Sequence, residues 1–186
     1  MIITITGDLG SGKSTIAERL AEKLGYERIY IGGIRREAAK TKGMTLEEYN
    51  KYGETHPETD IEVDDYQKKM GQEKDNFIIE GRTSWFLIPN SLKIYFKVDP
   101  MEGAKRIFKE LQSENNRNEG RDIRTLEDLL QRNEKRLASD KLRYQKYYQK
   151  DCYDEKNFDF VIDTTDLTRE EVFEKTINYI QKNLQK

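Results

Sequence analysis

Residues Gly7-Asp8-Leu9-Gly10-Ser11-Gly12-Lys13-Ser14 spell G-x-x-x-x-G-K-S, directly after the apolar run Met1 to Thr6 and directly before a helical pattern that starts near Lys13. That context is a strand, a glycine loop and a helix start, the sequence form of a phosphate cradle. Triphosphate oxygens must be met by many closely spaced donors, and glycines let the backbone turn its N–H groups inward where side chains would block the approach. The following helix adds its unsatisfied first-turn amides and the positive end of its dipole. Lys13 is a mobile charge for the β and γ phosphates, and Ser14 offers a hydroxyl to Mg²⁺. A plain glycine turn is the bland alternative, and the full pattern at a strand-to-helix junction argues against it. Gly7, Asp8, Leu9, Gly10, Ser11, Gly12, Lys13, Ser14 and Thr15 are therefore the candidate nucleotide-binding residues, with ATP and Mg²⁺ expected.

Nucleotide binding does not name a reaction, and composition narrows the field. At 186 residues the chain suits one domain with a substantial core and no staple. One cysteine, Cys152, cannot form an internal disulfide, and with the one histidine, His56, it cannot build a zinc site. A net charge of −2 with 37% charged residues argues against gripping nucleic acid by charge alone. No apolar run approaches membrane-spanning length, and the first strand begins almost at Met1, so a cytoplasmic protein without membrane or nucleic-acid partners is expected. A monomer is expected as well.

Along the chain, strands are expected near 2–6, 27–31, 77–80, 92–98 and 158–163, and helices near 13–24, 101–112, 125–150 and 168–184. The order is α/β with one parallel sheet of five strands, interrupted by a helical insertion over about 33–75. Residues 113–122 are almost wholly polar and read as a mobile loop.

Advancing about 100° per residue from Thr125 places Leu126, Leu130, Leu137, Tyr144 and Tyr148 on one stripe, while Arg132, Arg136 and Arg143 share another with Asp140 at its edge. The first stripe reads as core and the second as a candidate site; a solvated charged face is the competing account. Phosphoryl transfer builds charge on equatorial oxygens, and guanidinium forks meet that charge without supplying a nucleophile. Asp140 suits orienting these guanidiniums or accepting a ribose hydroxyl. Arg82 and Gly81 follow Glu80 just past a strand end, where ligands of open α/β sheets collect. Glu80 is a candidate to hold a water on Mg²⁺, against the alternative of a turn carboxylate. Arg36, beside Arg35, follows the glycine pair Gly32-Gly33 and suits a second phosphate. No clear general base is present, and an acceptor that is already a phosphate needs none.

With those residues in view, the chain resembles the nucleoside monophosphate kinases and, among them, the short cytidylate kinases of archaeal type. The resemblance covers nearly the full length. Besides the phosphate loop it rests on Gly33 to Glu37, Gly43 to Asn50, Glu80-Gly81-Arg82, the Arg136, Asp140, Arg143 spacing, and Val161 to Thr165. It implies a three-layer P-loop kinase, an acceptor-binding insertion over about 33–75 and a lid over about 113–124. It also implies roles: Arg36 and Arg82 on the acceptor phosphate, Arg136 and Arg143 on the transferring phosphoryl group, Asp140 on the acceptor ribose, and Mg²⁺ at Ser14. The expected reaction is ATP-dependent phosphorylation of CMP and dCMP. Longer bacterial relatives carry an aspartate where this chain has Thr83 and an arginine near Asp60, so their base recognition does not carry over. Asp60 and Asp64, one helical turn apart, are candidates to accept from the cytosine amino group. The competing readings are a kinase for UMP, AMP or a hydroxyl metabolite, and a nucleotide-binding switch, although no Asn-Lys-x-Asp guanine signature is present.

Overall fold

A computed structural model of the chain describes residues 1–112 and 123–184. Five strands, β1 (Ile3–Gly7), β2 (Glu27–Tyr30), β3 (Phe77–Glu80), β4 (Leu92–Lys97) and β5 (Phe160–Asp163), form one sheet in the order β2-β3-β1-β4-β5, parallel at every pairing. The central strands read as unbroken apolar runs because both of their faces are covered. On one face Ile3, Ile5, Ile78, Ile94 and Phe96 pack against Ile16 and Leu20 of α1 (Lys13–Leu24) and Val172, Phe173, Ile177 and Ile180 of α8 (Arg169–Leu184). On the other, Ile29, Phe77 and Ile79 pack against Met70 of α4 (Glu58–Glu73) and Ile88.

The insertion is three helices rather than one stretch: α2 (Ile31–Thr41), α3 (Leu46–Gly53) and α4. Gly43 in the left-handed region ends the first, and Thr45 opens the second with a reciprocal cap to Glu48. A short helix, α5 (Ser84–Leu87), follows β3 and was not expected from the sequence pattern. Helix α6 (Pro100–Leu111) opens on an Asp99 cap and a first-turn proline, and α7 (Leu126–Tyr148) on a Thr125–Asp128 capping box. Leu129 of α7 seats against Ala104 and Ile107 of α6. Because every strand is parallel, Gly7, Tyr30, Glu80, Lys97 and Asp163 end at the same edge of the sheet. The expected lid, 113–124, lies outside the described residues apart from Ile123 and Arg124. Among the described residues no helix is long and apolar enough to cross a membrane.

Candidate active site

At the strand-end edge, the loop after β1 folds around the Asp8 carbonyl, which accepts from the Ser11 amide at 3.4 Å, the Ser11 hydroxyl at 2.9 Å and Lys13 Nζ at 3.0 Å. Gly10 and Gly12 hold φ of 81° and 79°, a left-handed conformation that side chains strain to adopt. No side chain caps α1, so the first-turn amides face the loop. The Asp8 carboxylate points away from that concavity: Oδ1 accepts the Tyr95 hydroxyl at 2.6 Å and Oδ2 the Val98 amide at 3.0 Å, pinning the loop to β4 and the turn after it. Behind the loop, a Cβ built on Gly10 would come within 2.1 Å of the Gly103 carbonyl oxygen on α6. Lys13 and Ser14 line a cleft that opens from this loop toward α2, α4 and α7, while the Thr15 side chain is exposed and outside its lining.

Across the cleft stand four arginines: Arg35 and Arg36 of α2, Arg82 after β3, and Arg136 of α7. Arg36 Nη1 donates to the Tyr30 hydroxyl at 2.5 Å and the Gly32 carbonyl at 3.1 Å. Arg82 Nε donates to the Tyr153 hydroxyl at 2.7 Å and lies 2.6 Å from Asp140 Oδ2, which leaves its Nη2 buried without a hydrogen-bond partner. Gly81 is tightly enclosed, since a Cβ there would lie 2.3 Å from the Ser84 hydroxyl.

These arginines belong to an ion chain. Arg35 Nη1 meets Asp60 Oδ1 at 2.7 Å; Arg143 Nη1 meets Asp60 Oδ2 at 2.5 Å; Arg143 Nη2 meets Asp140 Oδ1 at 2.5 Å; and Asp140 Oδ2 closes on Arg82. Within this chain three guanidiniums face two carboxylates, while Asp64 and Glu80 add carboxylates to the cleft wall. Burial alone would raise the Asp140 carboxyl, but Arg82, Arg143 and Arg136 outweigh it and hold it at about 2.

Three expected site residues belong to that chain. Arg143 is completely buried and lines no part of the cleft, with both Nη groups spent on Asp60 and Asp140. Asp140 is likewise enclosed, its oxygens meeting Arg143, Arg82 and the Tyr153 hydroxyl, and it lies outside the cleft lining. Asp60 reaches the cleft wall, yet both its oxygens are held by guanidiniums. The Arg143 side chain meets Asp60 of α4, while Arg136 of the same stripe faces the cleft.

The two remaining carboxylates each keep one oxygen. Glu80 Oε1 accepts from Arg28 Nε at 2.6 Å, while Oε2 is buried without a partner beside the same cleft as Ser14. Asp64 Oδ1 accepts from Thr83 and Gln67, while Oδ2 is buried without a partner; burial pushes its carboxyl up to about 6, against the pull of Tyr148, Thr83 and Arg35. His56 stacks on Tyr52 outside the cleft lining. Arg35 was passed over as a site residue although it adjoins Arg36 after the glycine pair. Tyr153, which grips Arg82 and Asp140, carried no signal in the sequence.

A sequence model of the cytidylate kinase-like family matches residues 2–166. This chain belongs to that family. A cytidylate kinase of Archaeoglobus fulgidus is 36% identical over 97% of this chain and 95% of its own. An S-adenosylmethionine-dependent nucleotide dehydratase of Lacinutrix mariniflava is 32% identical over 97% of this chain but only 36% of its own length. In three dimensions the fold is similar to a shikimate kinase of Bacteroides thetaiotaomicron, with a TM-score of 0.64 at 14% identity, covering 100% of this chain and 99% of that one. The chain is thus a P-loop kinase in architecture and, by family, an ATP-dependent phosphotransferase acting on small nucleotides.

Proposed function

We propose that the chain transfers the γ-phosphoryl group of ATP to CMP, and also to dCMP, giving ADP and the pyrimidine nucleoside diphosphate. The observation that carries this is the charge across the cleft from Lys13: four arginines, which outnumber the carboxylates Asp60, Asp64 and Glu80 of the same lining. Such a surface suits an acceptor that is itself a dianion. A hydroxyl acceptor would instead need a carboxylate base; Asp60 and Asp140 are engaged by arginines, and the open oxygens of Glu80 and Asp64 are in this reading taken by Mg²⁺ and by the acceptor.

In this reading the amides of Gly10 to Ser14 and the Lys13 ammonium hold the donor phosphates. Arg36 and Arg82, joined by Arg35, hold the acceptor phosphate, with α2 to α4 forming the acceptor side of the site. Arg136 is aimed at the charge that builds on the transferring group. Arg143 and Asp140 position rather than touch: they fix Arg82 and Asp60 in place. The orphaned Glu80 Oε2 and the Ser14 hydroxyl fit a Mg²⁺ that keeps most of its ligands from water and phosphate. Such an ion supplies neutralisation of phosphate charge when bound. Because transfer needs both phosphates in line and free of water, the arginines act chiefly by orientation and electrostatics.

The test is ADP release from ATP in the presence of each nucleoside monophosphate and of hydroxyl metabolites such as shikimate. CMP and dCMP are expected to stimulate most. Stimulation by no pyrimidine monophosphate, or by a hydroxyl compound alone, overturns the reading.

A further inference from the structure

Asp64 sits on α4 in the wall of the cleft, and its carboxylate is held in one orientation by a closed set of hydrogen bonds. Oδ1 accepts the Thr83 hydroxyl and Gln67 Nε2, each at 2.7 Å. Gln67 Nε2 also donates to Thr83 Oγ1 at 3.0 Å, and Gln67 Oε1 accepts from the Ser84 hydroxyl at 2.6 Å. All four side chains are buried. The second oxygen, Oδ2, is equally buried and meets no donor at good hydrogen-bonding geometry, although the Tyr148 hydroxyl is near enough to favour the ionised carboxylate. The other groups facing this carboxylate are Arg35 of α2, Asp60 one turn earlier on α4, and the Tyr148 hydroxyl of α7, which itself makes no well-formed hydrogen bond. Arg35 Nε and Nη1 are committed to Asn50, the Thr59 carbonyl and Asp60, while its Nη2, on the Gly53 side, is buried and makes no hydrogen bond to Asp64.

An oriented, buried acceptor atom with no donor is costly to keep, and it makes sense where a ligand brings the donor. We propose that Asp64 Oδ2 is the atom that reads the acceptor's base, and that it takes the exocyclic amino group of a 4-aminopyrimidine. A carboxylate only accepts, so it matches the amino group of cytosine and opposes the carbonyl oxygen that uracil carries in the same place. Val63 and Tyr144, which line the same cleft, offer apolar surface to the base faces. This inference rests on the reading above, that the acceptor is a nucleoside monophosphate.

The test compares kcat/KM for CMP and UMP in the parent and in Asp64→Asn. Asparagine keeps an oxygen for Thr83 and Gln67 and puts an N–H₂ group where Oδ2 stands, so an acceptor becomes a donor without a change of shape. The parental preference for CMP is expected to fall by about 100-fold or more, through loss with CMP and gain with UMP. A D64N enzyme with the parental ratio overturns the assignment, and so does a parent that uses CMP and UMP equally well. A parent that phosphorylates neither overturns the kinase reading beneath it. Should D64N fail to fold, Thr83→Val releases one of the hydrogen bonds on Oδ1, and the preference is expected to drop about tenfold; an unchanged ratio there also overturns the assignment.

Discussion

Arg143 and Asp60 meet across 83 residues of chain, Arg143 Nη1 lying 2.6 Å from Oδ1 and 2.5 Å from Oδ2, with both side chains out of solvent. Two desolvated charges at that distance are held by each other and by their remaining hydrogen bonds. Removing one strands the other in a medium that cannot solvate it.

Arg143→Met is therefore expected to lower the unfolding free energy by about 3 to 5 kcal/mol, because it leaves Asp60 short of a partner and Asp140 with only Arg82 and the Tyr153 hydroxyl. Urea denaturation reads this directly. A variant of parental stability that has lost only turnover would return Arg143 to direct contact with the reacting phosphate.

Arg136 calls for the opposite pattern. It lies on the same helix, lines the cleft, and is half-buried rather than enclosed. Arg136→Ala is expected to cut kcat by roughly 100- to 1000-fold, the scale for losing one preorganised donor to transition-state charge, with little change in stability. A kcat near the parental value removes Arg136 from the reaction.

Gly103 separates helix propensity from packing. Gly→Ala inside a helix ordinarily gains about 1 kcal/mol. Here an added Cβ would come within 2.4 Å of the Leu9 carbonyl oxygen, and backbone has no flexible end to move aside. Gly103→Ala should push α6 off the phosphate loop, weakening ATP binding at least tenfold by isothermal titration, by the 1.4 kcal/mol-per-decade relation. An unchanged dissociation constant would mean that the loop tolerates the displacement.

What the sequence made legible follows the range of each interaction. The phosphate loop is local, so eight consecutive residues carried its turn, its glycines and the start of α1. The sheet was legible because both-face burial leaves apolar runs such as Phe77 to Ile79. The Asp8 carboxylate was not, because its partners Tyr95 and Val98 lie 87 and 90 residues away. The burial of Arg143 was hidden for the same reason: periodicity reports the face of a helix, not what covers it, and its partner Asp60 comes from the insertion. Thr83 stood out as a departure from longer relatives, but only the fold shows its hydroxyl on Asp64.

Asp64 also makes a claim on stability, with a definite sign. Its carboxyl is raised from the ordinary 3.8 to about 6, so the folded chain binds the proton more tightly than the unfolded one. Stability from that proton is fully present below pH 4 and is lost as pH rises through 6. At neutral pH the buried charge then costs on the order of 2 to 3 kcal/mol relative to a neutral side chain. Asp64→Asn should accordingly be more stable than the parent by about that amount at pH 7.5, and the gain should vanish near pH 4. Urea midpoints at the two pH values check it; a gain of equal size at both would mean that the charge is not what the fold resists. Asp140, held near 2 by Arg82 and Arg143, predicts the reverse, since Asp140→Asn forfeits a favourable charge at pH 7.5. A residue whose neutral analogue stabilises the fold is one that folding alone does not explain. Loss of base selectivity in the same D64N protein that gains stability would place the reason for that carboxylate in the acceptor site.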